Sequence, residues 1–171
     1  MKTITVTDAR KNLYRLIDQV NQSHEPVYIL GKRATGVLVG EKDWSCMQEA
    51  LQILTNTELR ESIFHGLALG IADCIRKPDT GPVPVFYTPS ADEDVQEIET
   101  SGFGEDMETL LHLLGSAPLQ DPPAVGRLFG ELSDVYCRKI SIHHRLLYEI
   151  EPELSWVKVL RICSVYNKPS V

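Results

Sequence analysis

Apolar residues recur at Ala9, Leu13, Leu16, Ile17 and Val20, at intervals of three and four, which predicts one helical face turned toward a core. Thr3 to Thr5 reads as a short strand ahead of it, with Thr7 as the cap and Asp8 in the first turn, where an acid favours the helix dipole. Pro26 then opens VYILGKRATGVLVG, two β-prone runs flanking Gly31-Lys32-Arg33-Ala34, a hairpin signal with two cations at its turn. A second helix is predicted over Glu41 to Leu54, and a third from a cap at Asn56 to about Leu69. The periodicity stops in RKPDTGPVPV, residues 76–85, where three prolines and a glycine interrupt any regular element, so the join between two halves is placed near Pro82.

The pattern resumes with a strand over Val83 to Tyr87. Val95 and Ile98, then Met107, Leu110, Leu111 and Leu114, mark two helical arms separated by Ser101-Gly102-Phe103-Gly104, with acids at the start of each arm. A proline-rich loop, SAPLQDPPAVG, leads to VYCRKISIHHRLLYEI, read as two strands joined near His143 and His144, and WVKVLRICSVY supplies a further strand after the turn EPELS. The second half is thus expected to be an antiparallel sheet of about four strands with two helices on one face, an α+β arrangement. Tyr136, Tyr148, Trp44 and Trp156 are read as packing residues.

Composition adds a division of charge. The chain of 171 residues, 43% hydrophobic, suffices for one ordinary domain or two small ones and carries a net charge of -7. Residues 1–81 hold ten cations and ten acids, whereas residues 82–171 hold seven against fourteen and account for the whole surplus. An acidic chain is not a general nucleic-acid magnet, although a local basic face is compatible with it. The acids of the helical hairpin, Asp92, Glu93, Asp94, Glu97, Glu99, Glu105, Asp106 and Glu108, suit a solvated face or a complement to cations of another copy. Cysteines at 46, 74, 137 and 163 have no metal-ligand or redox-pair spacing and read as reduced thiols, so no metal or cofactor is expected. No apolar run is long enough for a membrane span and the N-terminus lacks the apolar stretch of a signal peptide, so the expectation is a soluble, cytoplasmic protein without membrane partners.

Arg10 follows Ala9, off the apolar face, and Lys32 and Arg33 protrude from a turn; such cations serve either as ordinary surface charge or as grips on phosphate and base edges. The order MKTITVTDARKNLYRLIDQV, then GKRATGVLV, then EKDWSCMQEALQIL resembles the Phd/YefM antitoxin family over about residues 1–70. The resemblance implies a dimerising, operator-binding domain that represses its own operon and a tail that wraps a toxin, here residues 71–82. It implies DNA contacts from Arg10 and from the Lys32/Arg33 turn, with Gly31 standing where some members carry a second contact arginine. A two-fold dimer would present each cluster twice, matching an inverted repeat.

Residues 83–169 resemble the YoeB/Txe branch of the RelE-like toxins, through FYTPSADEDV, PLQDPP, LSDVYCRKISIHHRLLYEI and VKVLRICSVY. Active members are ribosome-dependent endoribonucleases that need no metal. Such chemistry requires a base for the 2′-hydroxyl, cations for the phosphorane and an acid for the leaving oxygen. The resemblance keeps Arg145 and Tyr166 of the family's site. Lys139 replaces an arginine beside Arg138, Gly126 replaces the glutamate, and Val165 replaces the histidine. Glycine and valine move no protons. The residues leave open a silent toxin-like fold, a residual or latent nuclease held in check in cis and acting on ribosome-bound mRNA, and a rewired site drawing on Glu131, Asp134, His143 or His144. An interaction module that pairs with a separately encoded toxin or antitoxin is a further alternative.

Overall fold

The computed structural model describes residues 2–78, 80–121, 125–141, 143–151 and 156–164. The protein is α+β and divides into two compact units, Met1–Gln48 and Glu49–Val171.

In the first unit, strand β1 (Lys2–Thr5) lies parallel to β2 (Val27–Leu30), which pairs antiparallel with β3 (Thr35–Leu38). This sheet is mixed rather than an antiparallel hairpin with a separate strand, because β1 and β2 are joined by a helical crossover that returns the chain in the same direction. Thr5 rather than Thr7 caps the first helix, its hydroxyl accepting from the Asp8 N–H at 3.2 Å. The single predicted helix is two, α1 (Val6–Lys11) and α2 (Leu13–Ser23), parted at Asn12, whose side-chain amide donates to the Asp8 carbonyl at 2.9 Å. Ala9, Leu16 and Val20 are buried with Val27, whereas Leu13 and Ile17 on the same predicted face are 46% and 41% exposed. Helix α3 (Glu41–Thr55) starts in this unit, and Trp44 on it is 54% exposed, against the expected packing role.

The second unit contains a six-stranded sheet. Its strands are β4 (Ile75–Lys77), β5 (Val85–Tyr87), β6 (Val125–Arg127), β7 (Tyr136–Lys139), β8 (His144–Ile150) and β9 (Val157–Ser164), in the order β4-β5-β9-β8-β7-β6. Only β5 and β9 are parallel neighbours. The count exceeds the expected four by β4 and β6, three-residue edge strands beside prolines, where a missing N–H is least costly. One face of the sheet packs on α5 (Pro89–Thr100) and α6 (Gly104–Ser116) through Val85, Tyr87, Ile98, Leu110, Leu114, Leu146 and Tyr148. Gly102, at φ 85°, makes the turn between these helices that side chains resist.

The other face is covered as well. Ala50 and Ile53 from the end of α3, and Leu59 and Ile63 from α4 (Thr57–Ala68), pack with Leu128, Leu132, Val135, Leu147 and Leu160. Helices therefore lie on both faces rather than the predicted one. The compact units divide at Gln48/Glu49, ahead of the join near Pro82 suggested by prolines and charge, because the apolar stripe of α3 and α4 needs the sheet as its core.

Candidate functional site

Two places carry the residues singled out by sequence. On the first unit, Arg10, Lys32 and Arg33 are all exposed. Arg10 lies one helical turn from Val6 on the same face of α1. A Cβ built on Gly31 would lie 3.3 Å from the Val6 side chain, so the hairpin turn borders the surface on which Arg10 sits. The Gly31 N–H donates to the Ala34 carbonyl at 3.0 Å, and a Cβ there would approach that oxygen to 2.6 Å. An arginine at position 31 would have to open this turn, which leaves Lys32 and Arg33 as its cations. Val6, Leu13, Tyr14, Ile17, Leu30 and Val37 are exposed on the same small unit, Tyr14 at 89%.

The second place is Arg145, which β8 buries to 5% exposure. Its Nε donates to Glu49 Oε1 at 2.8 Å, and Nη1 donates to the carbonyls of Ser141 and His144 at 2.9 and 3.1 Å. The other Glu49 oxygen accepts from the Cys137 thiol at 3.1 Å. Burial, reinforced by the Glu49 charge, pushes the Cys137 thiol well up, so it remains a donor; burial likewise pushes Cys163 up to about 12. Two further cations lie under α4. Lys158, 2% exposed, pairs with Glu149 at 2.6 Å and donates to the Leu69 carbonyl at 2.7 Å, beyond the end of α4. Arg161 grips both Asp94 oxygens at 2.7 and 2.8 Å and donates to the Ser62 hydroxyl at 2.9 Å, and the hydrogen bonds to Asp94 raise its pKa further. Asp94, placed by sequence on an acidic outer face, is instead buried.

Strand alternation sorts the remaining candidates, because neighbours along a strand point to opposite faces and register partners share one. Lys139 stands opposite Arg145 and shares its face, exposed at the strand end. Arg138 points the other way, 1% exposed, donating to the Tyr148 hydroxyl at 3.1 Å and to the Pro118 and Gln120 carbonyls at 2.9 and 2.8 Å. It is a tie for the proline loop and cannot supply the cation that Lys139 replaces. Tyr148 stacks on Tyr136 on that same face, as their packing role requires.

His144 also faces away from Arg145. Its ring lies 5.2 Å from that of Phe103, its Nδ1 is 2.9 Å from the Ser141 hydroxyl, and it borders a cavity of about 240 Å³ whose lining omits Arg145. The His144 imidazole and the Arg145 guanidinium therefore lie on opposite faces of β8. Glu131 and Asp134 are exposed, Asp134 pairing with Arg127 at 3.2 Å. His143 is exposed at the turn. Gly126 is opposite Cys137 and so turns toward the side occupied by Glu49. Tyr166 and Val165 lie outside the described residues. Glu49, Lys158 and Arg161 escaped the sequence reading, although each had a signal: Glu49 falls on the Cys46–Ala50–Ile53 stripe of α3, and Lys158 and Arg161 interrupt an apolar strand.

An exposed cation surface on a small α+β unit, followed by a second α+β unit with a buried arginine, defines a two-part protein whose first part carries the outward-facing chemistry. A family model described as antitoxin Phd_YefM of type II toxin–antitoxin systems matches residues 1–68. The YefM antitoxin of Streptomyces coelicolor is 33% identical over 66 residues, which cover 39% of this chain and 76% of that protein. The RelJ antitoxin of Mycobacterium tuberculosis is 32% identical over 66 residues, covering 39% and 72%. Among solved structures, the M. tuberculosis YefM antitoxin matches 40% of this chain and 100% of its own at 30% identity and TM-score 0.35. A YoeB–YefM complex from Staphylococcus aureus matches at 21% identity, with 49% and 98% covered and TM-score 0.42. The chain belongs to the Phd/YefM antitoxin family of type II toxin–antitoxin systems, through its N-terminal 68 residues.

Proposed function

We propose that this protein is an antitoxin fused to a toxin-like domain, acting as a dimeric, operator-binding autorepressor whose toxin-like half is catalytically silent. The observation that carries the first part is the surface shared by Arg10 and the Lys32/Arg33 turn in a Phd/YefM unit. The exposed apolar side chains of α2, Leu13, Tyr14 and Ile17, suit a second copy, which would repeat the cations about a two-fold axis. Silence of the other half is supported by the strand geometry. Arg145 is closed by Glu49, Gly126 offers no base, and His144 and Arg138 face away. On this reading residues 49–77 take the place of the toxin-wrapping tail expected at 71–82, and no separate ribosome, mRNA, toxin or antitoxin partner is required.

The test is binding of the full chain to DNA from immediately upstream of its reading frame. Binding is expected to weaken steeply with salt, with a slope near −0.9 in log–log form per phosphate contacted. Arg10→Ala should weaken it by tenfold or more, at about 1.4 kcal/mol per decade, and Arg15→Ala by much less. Equal losses would return Arg10 to ordinary surface charge, and no binding to any tiled fragment at low salt would sink the autorepressor. The full chain should leave ribosome-bound mRNA intact; cleavage lost on Arg145→Ala would overturn the silent assignment.

A further inference from the structure

Glu49 occupies an unusual place. A helix of a family antitoxin sends a carboxylate into the sheet of the second unit, where it meets the guanidinium of Arg145 at 2.8 Å and the thiol of Cys137 at 3.1 Å, with its side chain 11% and that of Arg145 6% exposed. Burying two charges is costly, and removing either one strands the other. Nothing in the apolar packing of Ala50 and Ile53 demands an acid here, since both are buried on the same helix without one. The pairing is also specific on the sheet side. Arg145 Nη1 is also held by the Ser141 and His144 carbonyls, which leaves Nε aimed at Glu49. Lys139, its register partner, puts a second positive charge on that face at the exposed strand end.

We infer that Glu49 is an intramolecular latch: the α3 carboxylate is a built-in counter-anion for Arg145, and its seating determines whether Arg145 can meet an external oxyanion. The inference rests on the reading of the second unit as a silent toxin-like fold and names what closes that fold's arginine. The position across from Cys137 makes the latch sensitive to local charge. Gly126, half-buried on β6, is opposite Cys137 and shares the face of Glu49. A side chain at 126 would stand beside Cys137 at the spacing of a cross-strand pair, about 5 Å between Cβ atoms. A carboxylate from β6 and one from α3 would then compete for one guanidinium. Glycine at 126 leaves the site to Glu49.

The experiment is thermal unfolding of the full chain in inorganic phosphate against chloride of equal ionic strength. Wild type should not distinguish the two salts beyond the general effect of phosphate seen with an Arg145→Gln, Glu49→Ala double variant. Glu49→Ala, which leaves a carboxylate-sized gap beside Arg145, should be less stable in chloride and should regain part of its midpoint in phosphate with a saturable dependence. Equal phosphate responses in Glu49→Ala and the double variant would overturn the latch.

Should Glu49→Ala fail to fold, Glu49→Gln carries the test, since it keeps an acceptor for Arg145 and loses the charge. Gly126→Glu is then expected to lower the midpoint of wild type and to raise it in the Glu49→Gln background. The same sign in both would also overturn the latch. Arg10, Lys32 and Arg33 lie in the other unit, so failure of these tests leaves operator binding intact, and failure of operator binding leaves the phosphate response intact.

Discussion

The two units break the rule of apolar inside and polar outside in opposite directions. The first has a core of Ala9, Leu16, Val20 and Val27 and leaves Val6, Leu13, Tyr14, Ile17, Leu30 and Val37 in solvent. The second fills both faces of its sheet and then buries Arg138, Lys158 and Arg145 at 1%, 2% and 5% exposure. An isolated exposed leucine is unremarkable, but these six, with Trp44 besides, are many for a unit this small, and they are the side chains the proposed dimer would draw on. A buried cation is rare and persists only where anions and carbonyls surround it. The departures from the rule thus differ in kind: the first unit leaves apolar side chains and the Arg10, Lys32 and Arg33 cations in solvent, and the second buries three of its cations within its own fold.

The sharpest way to break this comparison is Arg138→Ala. Its guanidinium serves Tyr148 and the carbonyls of Pro118 and Gln120; without it the Pro118 carbonyl keeps only the Tyr148 hydroxyl, the Tyr148 oxygen loses its donor, and a 1% exposed side chain leaves a gap in the packing. Loss of about 3–5 kcal/mol is expected in urea unfolding of the second unit. Its exposed neighbour Lys139→Ala should change stability by less than about 0.5 kcal/mol. Similar effects from the two would mean that the buried cation is not structural.

Ile17→Glu tests the first unit. At 41% exposure the residue contributes little to the monomer core, so circular dichroism should be preserved while self-association falls by about a hundredfold, near 2.7 kcal/mol. Sedimentation of the wild-type chain at micromolar concentration should give about twice 19.2 kDa and that of the variant should move toward the monomer. A wild-type monomer at every concentration would remove the dimer and weaken the operator reading.

How much of this was legible follows from what periodicity can and cannot say. The face Ala9, Leu13, Leu16, Ile17, Val20 was visible in sequence, but a three-and-four spacing marks an apolar stripe without saying what covers it, and Leu13 and Ile17 turn outward. The hairpin at Gly31–Ala34 and the helical arms on either side of Gly102 were visible because turns demand particular residues. The edge strands β4 and β6 were hidden by prolines, which argue against strands in general but not at edges. Glu49 and Arg145 are 96 positions apart, and no local pattern joins them. His144 and Arg145 are adjacent in sequence, and only the strand assignment shows that adjacency puts them on opposite faces.

Alkaline pH should separate the units next. Burial pushes the Cys163 thiol from its ordinary 9.0 to about 12 and Cys137 well up, both in the second unit. Above pH 9 the unfolded chain releases these protons while the folded one keeps them, so the folded state binds more protons and stability falls as pH rises. The slope approaches about 1.4 kcal/mol per pH unit for each thiol. Cys163→Ala should reduce the slope between pH 9 and 12, as read from urea midpoints. An unchanged slope would assign the alkaline loss to other groups, such as Tyr148, which burial pushes up to about 12.

The smallest effect compares one device used in both units, a threonine capping a helix. Thr5 accepts from the Asp8 N–H at 3.2 Å and donates to the Asp8 carboxylate at 2.7 Å, all of it exposed. Thr88 accepts from the Ala91 N–H at 3.1 Å and donates to the Leu160 carbonyl at 2.9 Å, with 1% exposure. Removing the exposed hydroxyl lets water take over both roles, so Thr5→Ala should cost about 0.5–1 kcal/mol. Removing the buried one strands an N–H and a carbonyl between α5 and β9, so Thr88→Ala should cost about 2 kcal/mol. Thr88→Ser keeps the hydroxyl and should recover most of that loss, which separates the hydrogen bonds from the methyl packing. Equal costs for the two alanine variants in chemical denaturation would show that water reaches Thr88, and the second unit would then be no drier at its helix ends than the first.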